Sequence, residues 1–118
     1  MVRRGPDPET FLPLTPAIAH ILLAVADQTR HGYAIMQEIE RLTDGRAPMG
    51  PGTLYGTIKR MITAGLLDEA EDRPEAAQDD ERRRYYQATP LGRRVLEAET
   101  ARMASLIAAA RAKRVRAR

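Results

Sequence analysis

The residues with the most chemistry to offer lie in one short stretch: Thr53, Tyr55, Gly56, Thr57, Lys59 and Arg60. Two cations stand there among hydroxyls, with no acid between them. Such a set donates hydrogen bonds to anionic oxygens and to the edges of planar bases. Small polar and basic side chains on a rigid rod suit the major groove of a duplex, because they reach base edges and phosphates without a steric wall. A second set, Arg82, Arg83 and Arg84, can lay cations along phosphates or into a minor groove. Its plainer reading is a solvated run paired with the acids at 79–81.

Catalysis has little to stand on. The histidines are His20 and His31, and neither has the spacing to a second ligand that a zinc site needs. Each reads better as a structural histidine. With no cysteine, disulfides, thiol catalysis and cysteine metal sites are excluded. The carboxylates cluster in a loop that cannot hold an acid–base geometry. Gly50-Pro51-Gly52 has the glycines of a phosphate cradle but lacks the preceding strand. The expectation is a chain that is not an enzyme and carries no cofactor and no metal.

A helix must present the first set. Pro51 suits its first position and Gly65 the left-handed residue just past its end. Leu54, Ile58, Met61 and Ile62 gather on one face. Thr53, Gly56, Lys59, Arg60 and Thr63 take the other, with Tyr55 and Thr57 on the flanks. Upstream, Thr15-Pro16 is a cap followed by a first helical residue. Ile18, Ile21, Leu22 and Val25 carry that helix to about Ala26, and residues 27–30 make a short connection. A second helix is expected from His31 to Thr43 on Ile35, Ile39 and Leu42, followed by a turn-rich loop at 44–50. Three helices so arranged form a helix-turn-helix.

Downstream, residues 66–71 read as a strand, 72–81 as a charged loop containing Pro74, and 82–88 as a returning strand. Together they make a two-stranded β wing. Alternation places Arg84, Tyr86 and Ala88 on one of its faces and Arg83, Tyr85 and Gln87 on the other. Thr89-Pro90 repeats the helix start. The last helix carries Leu91, Val95, Leu96, Met103, Leu106, Ile107 and Ala110, a stripe of about five turns. Nothing remains in the chain to cover that stripe, which implies a second copy as partner. The fold class is therefore mainly α with a small two-stranded wing. Its parts are a flexible N-terminal arm at 1–13, a winged helix-turn-helix at 14–88, a dimerisation helix at 89–112 and a basic tail at 113–118. Phe11, Leu12 and Leu14 should dock on the body, and the tail should fray.

One compact domain is the expectation for 118 residues, and 43% hydrophobic residues can support its core. Net charge is +3, but its distribution says more. Residues 68–81 hold eight acids against Arg73, a net of −7, so the other 104 residues carry +10. A basic body with one acidic loop is the electrostatic footprint of a nucleic-acid binder. No apolar run is long enough to span a bilayer, and residues 1–13 lack the apolar core of a signal peptide. A cytoplasmic location follows as the expectation.

These residues resemble the PadR family of transcriptional regulators. The matching stretches are Leu14-Thr15-Pro16, His31-Gly32-Tyr33-Ala34-Ile35-Met36, Gly50-Pro51-Gly52-Thr53-Leu54-Tyr55, Lys59-Arg60-Met61, Arg83-Arg84-Tyr85-Tyr86 and Thr89-Pro90-Leu91-Gly92. Their order and spacing cover residues 14 to about 110, and the single C-terminal helix resembles the shorter subgroup. The resemblance implies a winged helix-turn-helix, a homodimer joined through the last helix, and repression of a nearby promoter. It implies that the third helix enters the major groove and the wing meets backbone or minor groove. By position, that assigns double-stranded DNA contacts to Thr53, Tyr55, Gly56, Lys59 and Arg60, and to Arg83 and Arg84. Thr57, on the flank, joins them as a candidate. Some members of the family release DNA when a small-molecule inducer binds near the dimer interface. A rival reading from another class is a winged-helix module that binds a different protein through the last helix, without DNA.

Overall fold

Local chemistry sets the start of each helix. The computed structural model describes residues 5–70 and 84–117, so the acidic segment at 72–81 and Arg82 and Arg83 lie outside the described residues. Helix α1 spans Pro16–Ala24, with Thr15 as its cap: the Thr15 hydroxyl accepts from the Ile18 N–H at 3.3 Å. It stops short of Ala26, and a two-residue strand, β1 (Arg30–His31), follows. Helix α2 spans Gly32–Thr43. His31 caps it, with Nδ1 accepting from the Ala34 N–H at 3.1 Å. Helix α3 spans Pro51–Thr63 and is closed by Gly65 in the left-handed region (φ 83°), which lets the Leu66 N–H donate back to the Met61 carbonyl at 2.9 Å. Strands β2 (Leu67–Glu69) and β3 (Tyr85–Ala88) come next, then the long α4, Pro90–Ala112.

The sheet contains the expected two-stranded wing, β2 paired with β3, and one strand more. It has three antiparallel strands in the order β1-β3-β2. Leu67 pairs with Ala88 and Glu69 with Tyr86, while Arg30 and His31 pair with Tyr86 and Tyr85 on the other side. A strand of two residues has no periodicity to reveal it, which is why residues 27–30 read as a plain connection. The extra strand ties the wing's base to the start of α2. Both tyrosines of β3 are buried: Tyr86 joins the core, and Tyr85 meets the His31 ring edge-on at 5.4 Å.

The core lies where α1, α2, α3 and the base of the wing meet. Ile21, Leu22, Ile35, Ile39, Leu54, Met61 and Leu67 are its fully buried members, and Val95 brings α4 into it. The N-terminal segment is not all loose arm. Pro8–Phe11 form a 3-10 turn capped by Asp7, packed against α4, and Phe11, Leu12 and Leu14 rest on the core.

Helix α4 has two halves with different surroundings. Thr89 caps it by accepting from the Gly92 N–H at 2.9 Å, and its hydroxyl donates to the Gly65 carbonyl at 2.5 Å, which joins the helix start to the exit of α3. Gly92 lies against the Leu66 carbonyl with no room for a β-carbon. Val95 is fully buried in its own domain, and Leu91 and Leu96 pack half-buried on the same core. Val95 therefore leaves the expected dimer stripe, covered by its own body, while Leu91 and Leu96 keep only part of their surface exposed. Beyond Glu99 the helix projects. Met103, Leu106 and Ile107 are 43%, 64% and 50% exposed, and Ala110 lies on the same stretch. Past the helix the chain turns at Arg114 (φ 63°), and the Val115 N–H closes on the Ala110 carbonyl at 2.9 Å, which caps the end of α4. Among the described residues, no helix is long and apolar enough to cross a membrane.

Candidate nucleic-acid interface

The outward face of α3 is built by what the inward face buries. Leu54, Thr57, Ile58 and Met61 point into the domain, which leaves Thr53, Lys59, Arg60 and Thr63 exposed. Two expectations change here. Ile62, assigned to the apolar face, is 39% exposed. Thr57, taken as a DNA contact, is buried, and its hydroxyl accepts from Arg60 Nη2 at 3.1 Å. It cannot reach a duplex from that position.

Gly56 leaves a shallow step on the outer face, and Arg60 runs across it. Arg60 Nη1 would lie 3.7 Å from a β-carbon at Gly56. At the N-terminal end, Gly50 makes no side-chain cap, and neither Gly50 nor Gly52 has a neighbour within 4 Å of its would-be β-carbon. The first turn of α3 is thus open, with its N–H groups at the positive end of the helix dipole. Tyr55 is 42% exposed and lies across Gly32 at the start of α2. It bridges the two helices more than it faces outward.

The electrostatics favour an anionic partner. Among the described residues, neither Lys59 nor Arg60 has a carboxylate within salt-bridge distance. On α2, Glu38 is already engaged: it accepts from Nε and Nη2 of Arg41 and lies 3.9 Å from Arg30. The hydrogen bonds from Arg41 hold the Glu38 carboxyl below its ordinary range, although partial burial opposes them. On the wing, Arg84 is exposed and pairs with Glu69 at 3.3 Å. A surface pair of this kind is worth little and opens readily to another anion. Arg83 lies outside the described residues. Behind the pair, burial first, then the Glu69 and Tyr55 groups, push the Tyr86 phenol above its ordinary range.

Two positioning features escaped the sequence reading. Gly32 has the Tyr55 ring of α3 as its neighbour, a contact between helices that no local spacing reveals. Glu99, unremarked in the sequence, is buried and takes a bidentate pair from Arg102 at 2.7 and 3.0 Å. Its signal was there: an acid four residues after Val95, inside the apolar stripe, with an arginine three residues on.

Known proteins agree with this architecture. The chain is 38% identical over 86 residues to an uncharacterized 37.1 kDa protein in transposon TN4556 of Streptomyces fradiae, covering 73% of this chain and 22% of that one. It is 42% identical over 77 residues to transcriptional regulator Rv3488 of Mycobacterium tuberculosis, covering 65% of each. The chain thus spans only part of the length of both relatives. The solved structure of a PadR family transcription regulator from Clostridium difficile superposes with a TM-score of 0.62 at 22% identity, over 82% of this chain and 96% of the other. At that identity the likeness speaks to the fold. Residues 21–98, from α1 through the third turn of α4, match the transcriptional regulator PadR-like family, and the chain belongs to that family.

Proposed function

We propose that this regulator is a homodimeric repressor that sets α3 of each copy into a major groove of double-stranded DNA. The observation that carries the reading is the outer face of α3, where Lys59 and Arg60 stand exposed beside Thr53 and Thr63 without a carboxylate partner among the described residues. Arg84, just before β3, and Arg83, next in sequence, contact backbone or minor groove. The apolar end of α4, with Met103, Leu106, Ile107 and Ala110, is covered by a second copy. A twofold pair puts the two α3 helices about one DNA turn apart, ~34 Å, and the operator is then an inverted repeat. A small molecule bound near the dimer interface releases the DNA, and the protein works in the cytoplasm.

Binding of a selected operator at two salt concentrations tests this. Lys59→Ala and Arg60→Ala should each weaken it, and loss of a phosphate contact at Lys59 should flatten the salt slope by about one unit. Unchanged affinity and slope in both variants would overturn the docking. A monomer by light scattering would overturn the pairing, and a mixed complex that ignores salt would favour a protein-docking module.

A further inference from the structure

Lys59 and Arg60 are neighbours in sequence, but only one of them is held. Arg60 Nη2 donates to the Thr57 hydroxyl at 3.1 Å, and Thr57 is itself 2% exposed. The anchor is therefore fixed in the core, between Leu54, Ile58 and Met61 of the same helix. From there the guanidinium runs over Gly56, whose missing side chain leaves the path clear. A free arginine samples many rotamers, whereas a tied one offers its remaining donors in a set direction. The guanidinium has five N–H donors in a planar fork, so one bond to Thr57 leaves a pair for a ligand. Lys59 has no comparable tie among the described residues and remains a mobile point charge.

Resting on the groove-docking reading, we infer that Thr57 is a positioning residue for base recognition. Its buried hydroxyl aims Arg60 at a guanine in the major groove, one in each half-site. Guanine is the base with two acceptors, O6 and N7, on that edge, which a planar fork meets with two bonds. Lys59 then serves phosphate, and the two adjacent cations divide affinity and selectivity between them.

The full chain, with Thr57→Val, Thr57→Ser and Arg60→Ala, is to be tested on duplexes selected from a random pool by the wild type. Each protein is titrated with the selected site and with the same site carrying adenine in place of each guanine in turn. Circular dichroism confirms that the variants fold. The wild type should prefer one guanine per half-site by about 10- to 100-fold. Arg60→Ala should lose that preference. Thr57→Val should lose most of it while its affinity for unrelated duplex stays within a few-fold of wild type, and Thr57→Ser should restore it. Should Thr57→Val and Thr57→Ser both keep the full preference while Arg60→Ala loses it, Thr57 positions nothing and the inference fails with the docking intact. Should Arg60→Ala bind every duplex as the wild type does, the docking reading fails, and the inference with it.

Discussion

The Tyr55 ring lies over Gly32 so closely that any β-carbon there would collide with its phenol. One aromatic side chain of α3 thus needs a bare backbone at the first turn of α2. The contact sets how the two helices of the helix-turn-helix meet, and it places Tyr55 between structure and surface.

Gly32 and Gly92 should differ in what a methyl group does to them. At Gly32 the obstacle is a side chain that is 42% exposed and can swing outward. At Gly92 it is the backbone carbonyl of Leu66, which cannot move without shifting the entry to β2. Overpacking costs ~1–3 kcal/mol, so Gly32→Ala belongs near the lower end and Gly92→Ala at the upper end or beyond. Urea unfolding of both variants checks the order. A Gly92→Ala protein as stable as the wild type would show that α4 does not rest where it is described.

The two halves of α4 should separate by what they disturb. Leu106→Glu places a charge on a side chain that is 64% exposed, so it should leave the thermal midpoint of the domain nearly unchanged while splitting the proposed dimer into monomers. Val95→Ala should do the reverse, lowering stability by ~2 kcal/mol through a core cavity and leaving the assembly intact once folded. Light scattering with melting curves reads both. Loss of assembly in Val95→Ala but not in Leu106→Glu would place the interface elsewhere.

Acid should act through Glu99. Hydrogen bonds from Arg102 hold its carboxyl below the ordinary value of 4.5; burial opposes this, and the Arg102 charge and the Leu14 N–H reinforce it. The folded chain then binds this proton less readily than the unfolded one. The resulting stability is fully present above the ordinary carboxylate range and is lost as pH falls through the lowered value. Glu99→Gln should therefore be less stable than the wild type at neutral pH, with the gap narrowing as pH falls through and below the ordinary carboxylate range. Glu38, lowered by Arg41 in the same sense, keeps some acid sensitivity in the variant. Urea midpoints across that range test it, and a gap independent of pH would rule out the titration.

Helix starts were legible because their chemistry is local. Thr15-Pro16 and Thr89-Pro90 read as caps from two residues each, and both cap as read. The exit of α3 at Gly65 was equally plain. What the sequence hid was tertiary. At about 100° per residue, Thr57 sits ~60° to one side of Leu54 and Ile62 ~80° to the other. Hydropathy chose Ile62 for the inner face, but packing against α1 and the wing took the narrower arc and buried Thr57. The same competition hid Glu99, whose burial depends on Arg102 and on the N-terminal segment lying across it. Strand β1 was hidden for a simpler reason: two residues carry no pattern until Tyr85 and Tyr86 arrive from far along the chain.

The backbone contact of Gly92 with Leu66, the burial of Val95 one turn later and the packing of the N-terminal 3-10 turn fix the bearing on which α4 leaves the body. In the proposed pair, the gap between the two reading heads then depends on a bearing set within each subunit as well as on how the two α4 helices meet. Exchanges on the outer face of α3 can change which bases are favoured while the distance between half-sites stays the same. Altering that distance would take a change at the root of the strut or where the two struts meet.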